Sequence, residues 1–126
     1  MKYIVSVLVL LSATFAGASQ LPTKEVAVSV HDAYVPGGFS SESDAYVVVN
    51  GVFPNSCYRW SRAEVRNSAQ MVHEIVSLAR VTQGMCLMVL VPYTKEVRLG
   101  QLERGTHTLR FMNGDGTYFE RSLEIE

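Results

Sequence analysis

The stretch THTLRFMNGDGTYFERSLEI, residues 106–125, carries two β-strand patterns on either side of a tight turn. Its centre, residues 113–116, reads Asn-Gly-Asp-Gly, and such pairs supply the positive φ angles that a hairpin turn needs. In the second strand Phe119, Leu123 and Ile125 share one parity, so they lie on one face. The stretch therefore predicts a β-hairpin whose second strand is amphipathic.

The rest of the chain repeats this alternation of strands and turns. Residues 25–31 alternate between apolar and polar positions, which is typical of a half-buried strand. Residues 45–53 are apolar on both faces, which indicates a central strand, and the Asn-Gly pair at residues 50–51 indicates a turn or bulge within it. In the strand that follows, a change of parity predicts a bulge or bend near Ser61.

Two later segments complete the predicted set of strands. Residues 68–81 fit a helical stripe capped by Ser68, but their β-branched residues favour a strand, with a short helix as the alternative. The apolar run of residues 85–91 predicts a buried strand that ends at Pro92. The fold class expected is all-β: an antiparallel immunoglobulin-like or fibronectin-like β-sandwich of about seven strands with one disulfide.

The first 18 residues have the organisation of a secretory signal peptide. Lys2 gives a positive start, residues 3–11 form a nearly unbroken apolar run, and residues 16–18 match the Ala-x-Ala pattern of a cleavage site. The apolar run is shorter than the roughly 20 residues that span a bilayer, so no stable membrane anchor is expected after cleavage. We therefore predict a signal peptide over residues 1–18 and a single periplasmic or secreted β-sandwich domain over residues 19–126. A retained N-terminal helix is the alternative.

The two cysteines, Cys57 and Cys86, are expected to form one structural disulfide. Exported proteins fold in oxidising surroundings, where an even number of cysteines tends to pair. The spacing of the two residues matches neither a redox motif nor a zinc knuckle. A catalytic cysteine would need a histidine base nearby, and the three histidines are scattered along the chain. In the chain-entropy model such a bridge stabilises the fold by about 3.5 kcal/mol.

The charge balance argues against nucleic acid as a partner. The chain has 11 basic and 12 acidic residues, and cleavage removes Lys2, so no basic stripe of the kind that binds nucleic acid is expected. Arg59, Arg62 and Arg66 are interleaved with aromatic residues, as on a surface that stacks bases and binds phosphate. The solvent face of one bent strand is the favoured interpretation of this cluster.

The segment before the hairpin resembles a motif of immunoglobulin-like and fibronectin-like domains. Leu102, Gly105, His107, Leu109 and Phe111 are spaced as in L-x-x-G-x-Y-x-V, where the tyrosine hydroxyl ties the corner to nearby backbone. His107 occupies the tyrosine position here. With VPGGF, VNGVFPNSC and VPY, the chain is similar to a group of small secreted bacterial β-sandwich proteins of uncharacterised function. The resemblance implies the fold and export, and it transfers no catalytic residue.

The sequence contains no enzyme signature, so we expect a non-enzymatic protein without a cofactor. His31, His73 and His107 are the candidate metal ligands, but two surface positions and one corner position are the favoured interpretation. Methionines such as Met85 and Met88 would suit Cu(I), yet methionine in an apolar strand is usually core filler.

Binding is the function that this composition favours. We expect an exported non-catalytic module that binds a protein or another envelope or extracellular component. Trp60 is expected in the sandwich core. Aromatic and arginine residues dominate interfaces, and one candidate loop covers residues 36–44. The candidate binding residues are Phe39, Tyr58, Arg59, Arg62 and Arg66.

Two alternative functions stay open. One is a secreted inhibitor of a hydrolase that inserts the loop beside the disulfide, residues 53–57, because a cystine reduces the ordering cost of binding. The other is a periplasmic metal-binding protein that uses His31, His73 and His107, and it needs at least two of them within about 4–5 Å. A stiff exposed loop favours the first alternative, and convergence of histidines favours the second.

Overall fold

The computed structural model describes residues 21–126, and these residues form eight β-strands. The strands are β1 (Thr23–Ala27), β2 (Asp32–Tyr34), β3 (Ala45–Phe53), β4 (Tyr58–Ala69), β5 (Val72–Thr82), β6 (Val91–Gly100), β7 (Gly105–Met112) and β8 (Tyr118–Ile125). The described residues contain no helix of the length and apolar character needed to cross a membrane. The predicted signal peptide, residues 1–18, lies outside the described residues.

The strands form two sheets that share one core. In the larger sheet β5 is central: β4 pairs along one of its sides, while β1 and β7 share the other side. β7 in turn pairs with β8. The smaller sheet has the order β2-β3-β6, so β3 is the central strand that its two apolar faces predict. The predicted all-β sandwich is confirmed.

One pairing departs from the predicted antiparallel arrangement. β5 and β7 run parallel, with Val72 opposite Thr108, whereas the other strand pairs of the described chain are antiparallel. The reason is the route of the chain, which crosses to the smaller sheet as β6 before it returns as β7. Residues 72–82 form a strand, which confirms the strand assignment over the helical alternative. The starts of β5 and β7 therefore lie at the same end of the sheet.

Inward-facing residues of both sheets build the core. Burial alternates strictly along β3, and Val47 and Val49 have no exposed surface. Ile75 from β5 and Leu109 and Phe111 from β7 belong to the same cluster and are also fully buried. Burial of a side chain of this size contributes roughly 1.5–3 kcal/mol. The shared core therefore holds the two sheets, and the loops at both ends of their strands, in fixed positions.

The two predicted irregularities have different outcomes. The bulge near Ser61 is confirmed, because the register of β4 against β5 shifts there. The turn or bulge at residues 50–51 is wrong, because β3 continues unbroken through them. The ring of Tyr93 lies over Gly51 so closely that a Cβ atom there would be 2.5 Å from the tyrosine oxygen. Glycine at this position permits close packing of β3 against β6.

The predicted disulfide between Cys57 and Cys86 is confirmed. The two Cα atoms are 5.4 Å apart, within the usual range for a cystine. Cys57 immediately precedes β4, and Cys86 lies in the connection between β5 and β6. The bond therefore ties that connection to the start of β4.

The buried strand predicted for residues 85–91 is wrong. Residues 85–90 belong to no strand, and β6 begins at Val91 and continues past Pro92 to Gly100. An apolar run predicts burial, but this one lies in the connection that the cystine holds, outside both sheets. Pro92 is tolerated within β6 because that strand pairs only with β3 and forms an edge of its sheet.

Candidate docking surface and buried histidine pair

The two ends of the sandwich differ in chemistry. β5 extends from Val72 to Thr82, so its first and last residues are roughly 30 Å apart. The end beyond Thr82, which holds the cystine and residues 83–90, is named the disulfide end. The end at the start of β5, which holds residues 67–73 and 101–107, is named the histidine end.

The disulfide end exposes an apolar loop, residues 85–90, with the sequence Met-Cys-Leu-Met-Val-Leu. The side chain of Met85 is fully exposed and that of Met88 is 82% exposed, while Leu87 and Leu90 are 70% and 74% exposed. No charged or hydroxyl side chain interrupts the run. Single exposed apolar residues are normal on a protein surface, but a contiguous group of them marks a site of interaction.

Covalent and backbone bonds hold the apolar loop in place. Besides the cystine, the backbone N–H of Leu87 donates to the Ser56 hydroxyl at 2.8 Å, and the Leu87 carbonyl accepts from the Ser56 N–H at 3.1 Å. Just before the loop, the Gln83 N–H donates to the carbonyl of Pro22 at 2.9 Å. The loop is therefore anchored at its centre and at its entry, which lowers the entropy that it would lose on binding.

Few carboxylates belong to the segments that build the disulfide end. Residues 45–63 and 75–95 contain no Asp or Glu. One carboxylate, Glu25, lies opposite Arg80 in the register of β1 against β5, and it accepts hydrogen bonds from Arg62 and Ser61, which hold its pKa below the usual range. Four exposed cations belong to the strands of this end and form no ion pair within the described residues: Lys24, Arg59, Arg80 and Lys95. These strands thus give the disulfide end an excess of positive charge.

An open cleft of about 480 Å³ adjoins the loop, between the edges of β4 and β6. The rings of Trp60 and Tyr93 line it with centroids 5.6 Å apart, and Arg59 and Lys95 line it too. Burial raises the pKa of Tyr93 to about 12, and its hydroxyl donates to the Ser29 carbonyl at 2.7 Å. The sequence predicts Trp60 in the core, but this residue is partly buried and packs against the core from its place in the cleft lining.

The predicted arginine cluster separates into paired and unpaired residues. Arg62 binds Glu25 at 2.8 Å and Glu64 at 2.9 Å. Arg66 binds Glu64 at 3.0 Å, and these arginines hold the pKa of Glu64 below its usual range. Arg59 forms no ion pair with another described residue. Of the three arginines, Arg59 is therefore the one whose charge is open to a ligand.

The predicted aromatic binding residues are partly buried and lie at different ends. Tyr58 packs against the core and stacks on Phe53 with centroids 5.9 Å apart, at the disulfide end. Phe39 also packs against the core and forms an isolated β-bridge with Ile125, which pairs with Gly105 near the histidine end. The predicted set of binding residues therefore does not form one surface.

The loop of residues 53–57, predicted as an inhibitory loop, uses most of its residues internally. Phe53 is buried in the core. The side chains of Asn55 and Ser56 accept backbone hydrogen bonds within this end of the protein. Pro54 is its one exposed residue. The segment that projects beside the cystine is instead the apolar loop.

At the histidine end His73 and His107 form a buried pair. The Nε2 atom of His73 lies 2.8 Å from Nδ1 of His107, and the rings stack with centroids 5.0 Å apart. His73 Nδ1 lies 2.6 Å from Asn67 Oδ1, and His107 Nε2 donates to the Glu103 carbonyl at 2.6 Å. All four ring nitrogens are thus engaged. The bond to Glu103 is the corner tie that a tyrosine hydroxyl makes in the motif L-x-x-G-x-Y, supplied here by histidine.

A count of protons limits the charge of this pair. Because a carbonyl oxygen only accepts, His107 donates from Nε2, and its Nδ1 then accepts from His73 Nε2. With both rings neutral, His73 Nδ1 accepts from the Asn67 amide nitrogen, and with one added proton it donates to the Asn67 oxygen. A further proton would set two N–H groups against each other between the rings. Burial lowers the pKa of His73, and repulsion from His107 lowers it further.

The predicted set of three histidines does not come together. His31 is exposed and lies before β2, where its N–H donates to the Asn50 carbonyl. His73 and His107 do converge, but their nitrogens face each other or oxygens and offer no lone pair to a shared ion. Within residues 21–126, no group of three or more His, Cys, Asp or Glu could hold a metal ion.

Two sheets around one core, with a single cystine across one end, define a small disulfide-tied β-sandwich domain. The family model of the ORF11 beta-sandwich domain matches residues 47–125, from within β3 to the end of β8. The chain therefore belongs to the ORF11 beta-sandwich domain family. No curated protein and no solved structure matched the chain.

Sequence reasoning missed the apolar loop and the histidine pair. One signal for the loop was present: Cys86 stands inside the apolar run, and a cystine holds such a run beside another loop. The position of His107 in the corner motif indicated that its ring forms a hydrogen bond to nearby backbone. Its contact with His73 depends on the parallel register of β5 and β7, which no local pattern reveals.

Proposed function

We propose that this protein is an exported, non-catalytic binding module that docks on a component of the cell envelope through its disulfide end. The observation that carries the proposal is the exposed apolar loop. Four of its six side chains are at least 70% exposed, and the chain leaves them outside a core that is otherwise well formed. Exposed apolar surface of this kind is a liability unless a partner covers it.

The cystine supports both export and docking. Disulfides persist in oxidising compartments, which agrees with the signal peptide predicted for residues 1–18. The bond also joins the apolar loop to the start of β4, so the loop is presented in one conformation. A preordered apolar loop binds with a smaller entropic cost than a free one.

The chemistry of the charged residues supports binding over catalysis. The buried histidines satisfy one another and nearby oxygens, so neither is placed as a free base towards a substrate. The cleft beside the loop contains Tyr93, whose hydroxyl is engaged with the Ser29 carbonyl. Arg59 and Lys95 in the same cleft provide charge for recognition of an anionic partner.

The test is sedimentation of the oxidised protein with envelope vesicles from the cells that express it. The variant Leu87→Ser/Leu90→Ser removes apolar surface from the loop. The matched control, Tyr34→Ser/Tyr118→Ser, removes exposed apolar side chains of β2 and β8. We expect the wild type and the control to sediment with the vesicles and the loop variant to stay in solution. Equal sedimentation of all three proteins, or of none, would overturn the proposal.

A further inference from the structure

We infer that the envelope component on which the disulfide end docks is an anionic lipid bilayer, into whose interface the apolar loop inserts. The inference rests on the proposed function and names its partner. It describes reversible attachment by a loop, and it is compatible with the expectation that no stable anchor remains after signal cleavage. Three features of the disulfide end carry it: the composition of the loop, the charges around the loop, and the place where the preceding chain joins the domain.

The composition of the apolar loop suits hydrocarbon better than a protein surface. Its residues are methionine, leucine, valine and a bridged cysteine, so no side chain can make a specific hydrogen bond or ion pair. Protein interfaces rely on tyrosine, tryptophan and arginine as energetic centres, and none of these occurs in the loop. Hydrocarbon requires only apolar surface. The loop offers apolar surface, and it offers no side chain for specific polar contacts with a protein.

The backbone of the loop limits how deep it can insert. Leu87 has both backbone groups bonded to Ser56, but the loop forms no strand or helix that would satisfy its other peptide groups. Unpaired peptide groups are excluded from the hydrocarbon centre of a bilayer. The expected position is therefore the boundary between headgroups and acyl chains, about 5–10 Å deep, where apolar segments of peripheral proteins lie.

The charges of the disulfide end match an anionic headgroup layer. Four exposed cations that form no ion pair within residues 21–126 lie on strands that lead to or from this end: Lys24, Arg59, Arg80 and Lys95. Residues 75–95, which include the loop, contain no carboxylate, and Glu25 of the neighbouring strand β1 forms an ion pair with Arg62. Clusters of Lys and Arg beside an apolar segment attract phosphatidylserine- and phosphatidylglycerol-type surfaces.

The preceding chain joins the domain at the same end. The carbonyl of Pro22 accepts from Gln83, and Lys24 lies opposite Val81 in the register of β1 against β5. Residues 1–20, which include the apolar run of residues 3–11, are therefore connected to the domain beside the loop. The described chain therefore enters the domain beside the apolar loop, where Leu21 lies 3.7 Å from the position of a Cβ atom on Gly84.

The experiment is flotation of the oxidised protein, expressed from the full chain and recovered after export, with protein-free vesicles. One set contains phosphatidylcholine alone, and the other contains about one-third phosphatidylglycerol. We expect roughly tenfold more protein bound to the anionic vesicles, and loss of that preference at high salt, because screening weakens surface charges. Leu87→Ser/Leu90→Ser should abolish flotation, and Arg59→Gln/Lys95→Gln should remove the preference for anionic lipid. Tyr34→Ser/Tyr118→Ser is the matched control, and an unchanged unfolding midpoint shows that each variant is folded.

The outcomes separate this inference from the proposed function. If the wild type sediments with envelope vesicles through its loop but does not float with lipid, the partner is an envelope protein and the lipid inference is overturned. If it binds neither, both proposals fall. Equal binding to neutral and anionic vesicles would overturn the role given to the four cations. Loss of binding in the loop variant, with retention in the control, supports the inference.

Discussion

At both the disulfide end and the histidine end, two distant segments of the chain are joined, but by different kinds of bond. Each is closed by two residues from distant parts of the chain: Cys57 with Cys86, and His73 with His107. At the disulfide end a covalent bond holds apolar side chains outside the protein. At the histidine end hydrogen bonds hold polar rings inside it, 6% and 2% exposed.

This difference shows what each kind of closure permits. A cystine needs no burial to persist in an oxidising compartment, so the chain around it is free to expose an apolar loop for docking. A hydrogen-bonded histidine pair persists only when every nitrogen has a partner, so the residues around it must stay fixed. Under the proposed function, the disulfide end recognises the partner and the histidine pair stabilises the opposite end of the sandwich.

Loss of the cystine should have the largest effect on stability. Cys57→Ala/Cys86→Ala removes a bond across 29 residues of sequence, and the free energy of unfolding should fall by about 3.5 kcal/mol in the chain-entropy model. Urea denaturation at neutral pH measures this. Wild type under reducing conditions is the control and should lose a similar amount. A loss below about 1 kcal/mol would mean that the cystine does not close this end.

Loss of His107 should have the next largest effect. His107→Phe leaves His73 Nε2 without a buried partner and removes the bond to the Glu103 carbonyl, at a cost of about 1–3 kcal/mol for an orphaned buried group. His107→Tyr is the matched variant, since its hydroxyl can restore the corner tie. We expect it to be the more stable of the two in the same urea assay. If both variants match wild type, the pair does not close the histidine end.

Acidification should weaken the histidine end and spare the disulfide end. Folding lowers the pKa of His73 from the ordinary histidine value of 6.5, because burial and His107 disfavour the charged ring. The unfolded chain therefore takes up a proton at a higher pH than the folded chain. Stability from this site is fully present above the unfolded pKa and is lost as pH falls from about 6.5.

Thermal unfolding between pH 7.5 and 5 checks that direction. The unfolding midpoint of wild type should fall across this window, and it should fall less in His73→Gln, which has no proton to gain at this position. Cys57→Ala/Cys86→Ala should retain the wild-type slope, because the cystine does not titrate. An equal slope in His73→Gln would assign the pH dependence to other groups.

The smallest effect on stability is expected in the apolar loop. The side chains of Leu87 and Leu90 are mostly exposed, so Leu87→Ser/Leu90→Ser should change the free energy of unfolding by no more than about 0.5 kcal/mol. The same variant is expected to lose envelope binding. Strong destabilisation in the urea assay would show that the loop belongs to the core, and it would remove the basis of the proposed docking surface.

The sequence predicted the frame of the sandwich because its strands repeat a local pattern. The Asn-Gly-Asp-Gly turn and the parity change near Ser61 depend on neighbours in sequence, and the structure has a hairpin and a bulge there. Of the strand predicted over residues 25–31, only residues 25–27 are in a strand, because β1 ends at Ala27. The cystine between Cys57 and Cys86 followed from the count of cysteines and the predicted compartment. Local sequence patterns are sufficient to predict features, such as turns and bulges, that depend only on neighbouring residues.

The functional ends could not be predicted in the same way. An apolar run such as residues 85–90 has the same composition whether a core or a partner covers it, so its pattern indicated a buried strand. The contact of His73 with His107 needs the parallel register of β5 and β7, which arises from the passage of the chain through the other sheet. Both features depend on long-range topology.

Methionine oxidation footprinting tests the central claim most directly, because it reports both ends in one sample. Met85 and Met88 lie in the apolar loop, and Met71 lines the cleft beside the histidine pair. Peroxide converts accessible methionine to the sulfoxide, which mass spectrometry locates. With envelope vesicles present, we expect oxidation of Met85 and Met88 to slow severalfold while Met71 keeps its rate. Protection of Met71 alone, or no protection of the loop methionines under conditions where the protein sediments with the vesicles, would contradict docking through the disulfide end.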